Sequence, residues 1–210
     1  MTKAALFDLD GVVFNTEPQY SGFWGREFSI YYPGEPELAQ RIKGQTLMQI
    51  FDEFFHGAED VQEEINSRLN DFESKMHFDY LPGLVEFVKD LRNKGIKTGV
   101  VTSSKMEKME NVYRNHPEFK GLFDIILTAE LFTKSKPDPE CYQKGARFFG
   151  LNPEDCVGFE DSFNGLKAVK AAGMAVVGLA TTNSEDAIRP YCDIVIKDYI
   201  NWTHKIHLFT

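Results

Sequence analysis

The chain has little of what marks secreted, zinc-binding or membrane-spanning proteins. Its cysteines, Cys141, Cys156 and Cys192, are odd in number and form no C-x-x-C pair. That usage argues against a disulfide framework or a zinc site and indicates buried thiols in a reducing compartment. The longest apolar run, residues 174–180, is far too short to cross a bilayer, and an acid at position 8 interrupts any apolar signal core. We therefore expect a cytoplasmic protein with no membrane partner.

Basic charge is also scarce. The sequence holds 32 acids against 23 bases, a net charge of -9, and shows no lysine or arginine cluster. This balance opposes binding to nucleic acid, which rewards a basic surface. Repeats and low-complexity tracts are absent, so the 210 residues, 42% of them hydrophobic, indicate one globular domain or a domain with an insertion. A monomer is the default expectation.

Short apolar runs alternate with helical periodicity over most of the chain, which predicts an α/β fold with a doubly wound parallel sheet. Strands are predicted over 4–9, 97–102, 123–128, 155–159, 174–179 and 193–196, and helices over 84–93, 105–115, 139–149 and 163–172. The tail that follows the last strand is predicted to be helical.

Residues 16–81 break this alternation. Their apolar side chains recur at helical spacing without a convincing strand, which predicts a small helical bundle. We expect residues 1–15 and 82–210 to form the core domain and residues 16–81 to form a cap beside the end of the first strand. The cap is rich in aromatics, which we expect to build its own core: Phe23, Trp24, Phe28, Tyr31, Tyr32, Phe51, Phe54 and Phe55.

Polar motifs follow four of the predicted strands: Asp8-Leu-Asp10-Gly11, Thr102-Ser103-Ser104, Lys136-Pro-Asp-Pro139 and Glu160-Asp161-Ser162. Taken singly, they suit a turn, a helix cap, a surface lysine and a second cap. A calcium loop does not fit the first motif, because Val12 and Phe14 stand where oxygen donors are needed. In a parallel sheet all four motifs lie along one edge, where ligands of such sheets bind.

The combination suits phosphoryl transfer. Several carboxylates in one cleft repel each other and need a cation, and hard oxygen ligands favour Mg²⁺. Hydroxyl, backbone N–H and lysine groups stabilise the negative charge of a transferring phosphoryl group. Asp8 and Asp10 both face the cleft only if a turn begins at Asp8.

These four motifs, with the helical insertion after the first, resemble those of the haloacid dehalogenase superfamily of phosphatases, and most of all its beta-phosphoglucomutase-like branch. The resemblance implies that Asp8 is the nucleophile and that Asp10 is first the general acid and then the general base. Thr102 and the N–H of Ser103 would hold phosphoryl oxygens, and Lys136 would neutralise both the phosphoryl group and Asp8.

The resemblance also implies a Mg²⁺ site formed by Asp8, the backbone carbonyl of Asp10, Asp161 and Glu160. The Lys136–Pro137 peptide bond of this motif is often cis in the family. Gly11 would allow a tight backbone path beside the phosphate.

The expected activity is hydrolysis of a small phosphorylated metabolite, such as a sugar phosphate; inorganic pyrophosphate also fits. Cap residues Glu17, Lys43 and Gln45 are candidates for substrate contact, with plain surface positions as the alternative.

A phosphosugar mutase is the nearest rival. Tyr20 and Leu47 stand where mutases of this kind carry a histidine and a phosphate-gripping arginine, although Ser104 and Lys105 match the mutase pattern. A phosphoacceptor signalling module is shorter and lacks an acid two residues after its nucleophile. A catalytically dead binding protein is disfavoured because no motif position is missing.

Overall fold

A parallel six-stranded sheet lies at the centre of the computed structural model, which describes residues 2–204. The strands are β1 (Ala4–Phe7), β2 (Lys97–Val101), β3 (Ile125–Leu127), β4 (Cys156–Glu160), β5 (Ala175–Leu179) and β6 (Ile194–Ile196). Their order across the sheet is β3-β2-β1-β4-β5-β6, and each neighbouring pair is parallel. The predicted fold class is confirmed.

Helices connect the strands and fill the segment between β1 and β2. They are α1 (Glu17–Tyr31), α2 (Leu38–Arg41), α3 (Leu47–Phe54), α4 (Glu59–Ser74), α5 (Leu84–Asn93), α6 (Met106–Asn115), α7 (Phe119–Leu122), α8 (Glu140–Phe148), α9 (Phe163–Ala172) and α10 (Glu185–Ile188). The predicted strands and the helices predicted before the tail are found within two residues of their expected ends. Short α7 and α10 were not predicted, because a single turn carries no periodicity.

The central strands are buried on both faces, which is why their sequences are continuous apolar runs without alternation. Every residue of β1 is fully buried. Phe7 packs on one face, with its ring stacked 4.4 Å from that of Phe159 in β4. Leu6 belongs to the layer on the opposite face. Helices therefore cover both sides of the sheet.

Helices α1, α3 and α4 pack around a separate apolar cluster. Five of the aromatic side chains predicted as the cap core are buried in it, and Tyr31, Tyr32 and Phe54 are partly buried and pack against it. Arg68 of α4 donates to both oxygens of Glu27 in α1, at 2.8–3.2 Å. Thr46 and Gln49 form a capping box that begins α3. The helical bundle predicted for this segment is confirmed.

The tail was predicted to be helical, and over residues 197–204 this is wrong, because these residues contain turns and no helix. The backbone N–H of His204 donates to Asp90 of α5 at 2.7 Å, so a side chain of the core holds this segment where intrahelical bonds would otherwise do so. Residues 205–210, the rest of that prediction, lie outside the described residues. Between residues 2 and 204 no helix is long and apolar enough to span a membrane.

The strand order reverses between β1 and β4, which lie side by side in the middle of the sheet. The connections that leave these two strands run to opposite sides, so a crevice opens beyond their carboxyl ends. The segment that contains α1–α4 is inserted directly after β1. This arrangement places the helical bundle beside the crevice.

Candidate active site

The structure gathers the four polar motifs at the carboxyl ends of β1, β2 and β4. Asp8 and Asp10 follow β1, Thr102 and Ser103 follow β2, and Lys136 comes from the loop between β3 and α8. These residues line one cavity of about 250 Å³, together with Asp161, which follows β4. Glu160, the last residue of β4, is completely buried.

A tight turn after β1 brings the two aspartates of the first motif to this cavity. The backbone N–H of Asp10 donates to Oδ2 of Asp8 at 3.1 Å. Gly11 follows with a φ of 72°, and a Cβ atom there would lie 2.0 Å from Oδ2 of Asp161. The position therefore needs glycine both for its left-handed backbone and for the close approach of the Asp161 carboxylate.

Lys136 forms ion pairs with two buried carboxylates. Its ammonium donates to Oδ1 of Asp8 at 2.6 Å, to Oε1 of Glu160 at 2.5 Å and to the carbonyl oxygen of Val101 at 3.3 Å. Burial opposes its charge, but the two carboxylates outweigh burial and raise the pKa of Lys136. Lys136 therefore stays protonated and holds Asp8 in place. The Lys136–Pro137 peptide bond is cis.

Burial raises the pKa of Asp8, and two neighbouring carboxylates add to this shift while Lys136 opposes it. Burial also raises the pKa of Asp161 well above its ordinary value, and Glu160 contributes further. The single ammonium of Lys136 thus leaves negative charge at the site uncompensated. A bound cation would restore the balance.

The donor set fits a hard divalent cation. Asp8, Glu160 and Asp161 each offer a carboxylate oxygen, and these atoms lie within 4.8 Å of one another. The oxygens of Glu160 already accept hydrogen bonds from Lys136, Tyr142, Ser162 and the backbone N–H of Asp161. Asp8 and Asp161 therefore offer the freer oxygens.

The side chain of Asp10 is held on the other side of the cavity. Its oxygens accept hydrogen bonds from Thr16 Oγ1 at 2.6 Å and from Ser104 Oγ at 3.1 Å, and both lie 2.6 Å from Nζ of Lys108. Burial alone would raise the pKa of Asp10, but the Lys108 ammonium and these hydrogen bonds lower it. Thr102 is buried, with its Oγ1 accepting from the backbone N–H of Ser104 at 3.0 Å.

The cap segment forms the opposite wall of the cavity, and Glu17, Lys43 and Gln45 all line it. Burial raises the pKa of Glu17, and Asp10 adds to the shift. Nζ of Lys43 donates to the carbonyl oxygen of Thr182 at 3.4 Å. Gln45 donates to Glu53 at 2.9 Å within the cap. The three predicted cap residues are thus at the cavity, although each already has a protein neighbour.

A cap loop lies directly against the core at Gly44. A Cβ atom on Gly44, whose φ is 77°, would lie 2.4 Å from Cβ of Ser162. The side chain of Asn164 donates to the carbonyl oxygen of Gly44 at 3.2 Å, and Gln49 donates to that of Lys136 at 3.3 Å. These contacts hold the cap segment over the cavity.

Two residues of the site were missed from the sequence. Tyr142 of α8 is fully buried and donates to Glu160 at 2.8 Å. Lys108 of α6 is only 4% exposed. Lys108 lies beside Met109 and one turn before Val112, on the buried face of its helix. A lysine among the apolar positions of an amphipathic helix is the sequence signal that could have indicated a buried charge. Tyr142 gives no comparable signal, since a buried aromatic on a helix is ordinary.

Comparison with known proteins agrees with the family resemblance of the four motifs. The family described as haloacid dehalogenase-like hydrolase matches residues 5–179. The chain is 30% identical to Beta-phosphoglucomutase from Bacillus subtilis, with 84% of this chain and 83% of that protein covered. It is also 30% identical to Phosphorylated carbohydrates phosphatase from Thermotoga maritima, with 82% of each chain covered.

A solved structure of a HAD hydrolase from Entamoeba histolytica superposes on the chain with a TM-score of 0.82. It covers 97% of this chain and 96% of that one, at 20% identity, so this likeness concerns the fold alone.

Proposed function

The chain belongs to the haloacid dehalogenase-like hydrolases and is a phosphoric monoester hydrolase of that family's beta-phosphoglucomutase-like branch, and we propose that it is a Mg²⁺-dependent phosphatase of small sugar phosphates. The observation that carries this proposal is the pairing of Asp8 with Lys136 at 2.6 Å, beside Asp161, at the base of a cavity covered by the cap segment. A carboxylate held by a permanent cation next to further carboxylates suits a nucleophile that attacks phosphorus.

In the first step, an oxygen of Asp8 attacks the phosphorus atom, and the bond from phosphorus to the ester oxygen breaks. Asp10 donates a proton to the departing oxygen, which leaves as an alcohol. Lys136, the hydroxyl of Thr102 and the N–H of Ser103 hold the phosphoryl oxygens while their negative charge spreads. The product of this step is an aspartyl-phosphate on Asp8.

In the second step, Asp10 removes a proton from a water molecule that attacks the same phosphorus atom. Inorganic phosphate leaves, and Asp8 returns to its carboxylate form. One residue therefore serves as acid and then as base, which restores its own protonation state over the cycle.

Asp8 and Asp161 are the residues that we assign to Mg²⁺, with the carbonyl of Asp10 and the carboxylate of Glu160 as the further ligands implied by the resemblance. A cation bound there offsets the repulsion among the carboxylates and the incoming phosphate. The raised pKa values of Asp8 and Asp161 support this assignment, because uncompensated charge is what a cation removes.

We propose that residues 16–81 act as a cap over a core of residues 1–15 and 82–210, and that Glu17, Lys43 and Gln45 contact the substrate. The cavity volume of about 250 Å³ supports a small substrate, since it lies below the roughly 300–1,000 Å³ of pockets for drug-sized ligands. The name of the Thermotoga maritima relative supports a carbohydrate phosphate. The predicted monomeric state and cytoplasmic location remain predictions.

A phosphosugar mutase is the second candidate, favoured by the similarity to Beta-phosphoglucomutase. A mutase must hold a second phosphate, and the cavity lining described within residues 2–204 contains no arginine. Tyr20 and Leu47, which stand where mutases of this kind carry a histidine and an arginine, both line the cavity. The Tyr20 hydroxyl donates a hydrogen bond to Glu73 at 2.6 Å. We therefore favour hydrolysis.

The test is release of inorganic phosphate, with and without Mg²⁺, from sugar phosphates, nucleotides and pyrophosphate. Asp8→Asn serves as the blank, because an amide cannot act as the nucleophile. Conversion of glucose 1-phosphate to the 6-phosphate is followed in parallel.

Mg²⁺-dependent release from a few sugar phosphates, absent from Asp8→Asn, is the expected result. Release from pyrophosphate alone would make the enzyme a pyrophosphatase. Isomerised sugar phosphate with little free phosphate would establish the mutase. A phosphorylated Asp8 that persists for minutes without turnover would indicate a signalling module.

A further inference from the structure

Lys108 is a buried lysine that the proposed reaction does not use. Its side chain is 3% exposed, and its ammonium lies 2.6 Å from both oxygens of Asp10. A buried ammonium is costly unless it is paired, so Asp10 is the reason that a lysine is tolerated on this face of α6. Removing either partner would leave the other charge buried and uncompensated.

Three segments of the chain converge on the Asp10 carboxylate. Thr16 immediately precedes α1, Ser104 lies in the loop after β2, and Lys108 lies in the first turn of α6. Thr16 donates to one carboxylate oxygen and Ser104 to the other, while Lys108 contacts both. The ammonium therefore restrains the direction in which the carboxylate points, while the two hydroxyls, one on each oxygen, restrain its rotation about the Cβ–Cγ bond.

The position of Lys108 is itself restrained by the cap segment. Its Nζ lies 4.8 Å from the centre of the Tyr20 ring in α1, and the Tyr20 hydroxyl donates to Glu73 of α4 at 2.6 Å. Asn111, one turn after Lys108, donates to the carbonyl oxygen of Glu73 at 2.7 Å. The lysine thus lies where α6 contacts α1 and α4 of the cap segment.

We propose that Lys108 is a positioning residue that holds the Asp10 carboxyl where it can deliver its proton to the leaving oxygen. This inference rests on the proposed function, in which Asp10 is the general acid. The ammonium by its charge alone favours the ionised form of Asp10, so Lys108→Met slows proton donation only if correct orientation outweighs this effect, as the proposal requires. Proton donation requires the acid within hydrogen-bond reach of the leaving oxygen, and a displacement of about 1 Å can cost about 100-fold in rate.

The test compares two ester classes that differ in their need for an acid. A sugar phosphate leaves as an alkoxide and requires a proton, whereas p-nitrophenyl phosphate leaves as a stable phenolate and hardly requires one. The value of kcat/KM reports the steps up to departure of this group, so it isolates the acid role from the later base role of Asp10.

Lys108→Met should lower kcat/KM for the sugar phosphate about 10–100-fold and that for p-nitrophenyl phosphate by a clearly smaller factor. Lys108→Arg should recover part of the loss, since a guanidinium still pairs with Asp10. Lys120→Met is the matched control: Lys120 also packs on an aromatic ring, 4.3 Å from the centre of Tyr113, but outside the cavity lining. It should leave both values unchanged.

A double-mutant cycle separates positioning from a general structural role. In the Asp10→Asn background there is no acid left to position, so Lys108→Met should add no further loss of kcat/KM on the sugar phosphate. Losses that multiply would show that Lys108 acts independently of Asp10. Thermal unfolding of each variant shows whether it is folded under assay conditions.

Equal losses of kcat/KM on both esters in Lys108→Met would overturn the proposal. A raised KM with unchanged kcat would also overturn it, because Lys108 would then be a substrate-binding group. If Lys108→Met does not fold, Thr16→Val removes another restraint on Asp10 and should show the same selective loss; its absence overturns the proposal. A wild-type enzyme without Mg²⁺-dependent turnover refutes the proposed function itself and this inference with it. An active wild type with an unselective Lys108→Met variant refutes the inference alone.

Discussion

Replacing Gly165 with alanine tests whether the buried charge network is built as the structure has it. Gly165 lies in the first turn of α9, and a Cβ atom there would lie 1.9 Å from Cδ and 2.1 Å from Oε1 of Glu160. Glu160 is completely buried and bound to Lys136 at 2.5 Å, so it has no open space into which to retreat. The alanine methyl group must displace the carboxylate from Lys136.

Gly165→Ala should destabilise the protein, whereas the same substitution at an ordinary position inside a helix stabilises it. Alanine for glycine in a helix gains about 0.5–1 kcal/mol. Overpacking costs about 1–3 kcal/mol, and a lost hydrogen bond to a charged group costs about 1.5–3 kcal/mol. The net effect of Gly165→Ala is a loss of about 1.5–5.5 kcal/mol, with a midpoint of about 3.5 kcal/mol, which corresponds to about 7–14 °C in the unfolding temperature for a chain of this size.

Gly25 provides the matched control. It lies in the middle of α1 and is exposed, and nothing lies within 4 Å of a Cβ atom built on it. Gly25→Ala should therefore raise the unfolding temperature by about 1–4 °C and leave turnover unchanged. Calorimetry and phosphate release are measured for both variants. If Gly165→Ala is as stable and as active as Gly25→Ala, the contact with Glu160 and the reasoning built on it are wrong.

Three further expectations concern the acid, the cap contact and the metal. Asp10→Asn should lower kcat by about 10²–10⁴-fold and should also lower the unfolding temperature, because the buried Lys108 ammonium loses its charged partner. Near-normal phosphate release would remove Asp10 from the acid–base role. Gly44→Ala should impair turnover, because the added methyl group collides with Ser162. Gly57 has a similar φ of 74° and nothing near its Cβ position, so Gly57→Ala should lose stability through backbone strain alone and keep its turnover. Equal kinetics for the two variants would contradict the contact between Gly44 and Ser162. Mg²⁺ at 100 times its Kd should add about 2.7 kcal/mol to the free energy of unfolding and so raise the unfolding temperature. The effect should be smaller at pH 5 than at pH 7, because the carboxylates with raised pKa values must ionise to bind the cation. Asp161→Asn should abolish most of this shift in a thermal scan, and an unchanged shift would place the metal elsewhere.

Local pattern was sufficient to predict most of the architecture. Continuous apolar runs such as residues 4–7 occur where a strand is covered on both faces, and the helical spacing of residues 16–81 has no strand-like counterpart. The tail was predicted wrongly for a physical reason: the segment before His204 is held by Asp90, 114 residues away in the chain, and no local signal reports such a partner.

The candidate site divides in the same way. Motif residues such as Asp8, Asp10 and Lys136 could be named from the sequence, because parallel strands must present their carboxyl ends at one edge whatever the details of packing. Which other charged side chains pair with one another could not be predicted from the sequence. Whether Lys136 meets Glu160, and whether Lys108 meets Asp10, depends on side chains 24 and 98 residues apart that only the packed sheet and cap bring into contact.

The sequence by itself therefore determined the fold class, the insertion after the first strand and the types of chemical group at the site, since periodicity and strand-end motifs are local properties. Tertiary structure decided how those groups are oriented. The close contact of Gly44 with Ser162 and the pairing of Asp10 with Lys108 both join residues that are distant in sequence. Distances of a few ångströms between such residues set their charge and direction, and these are fixed only when the whole chain is packed.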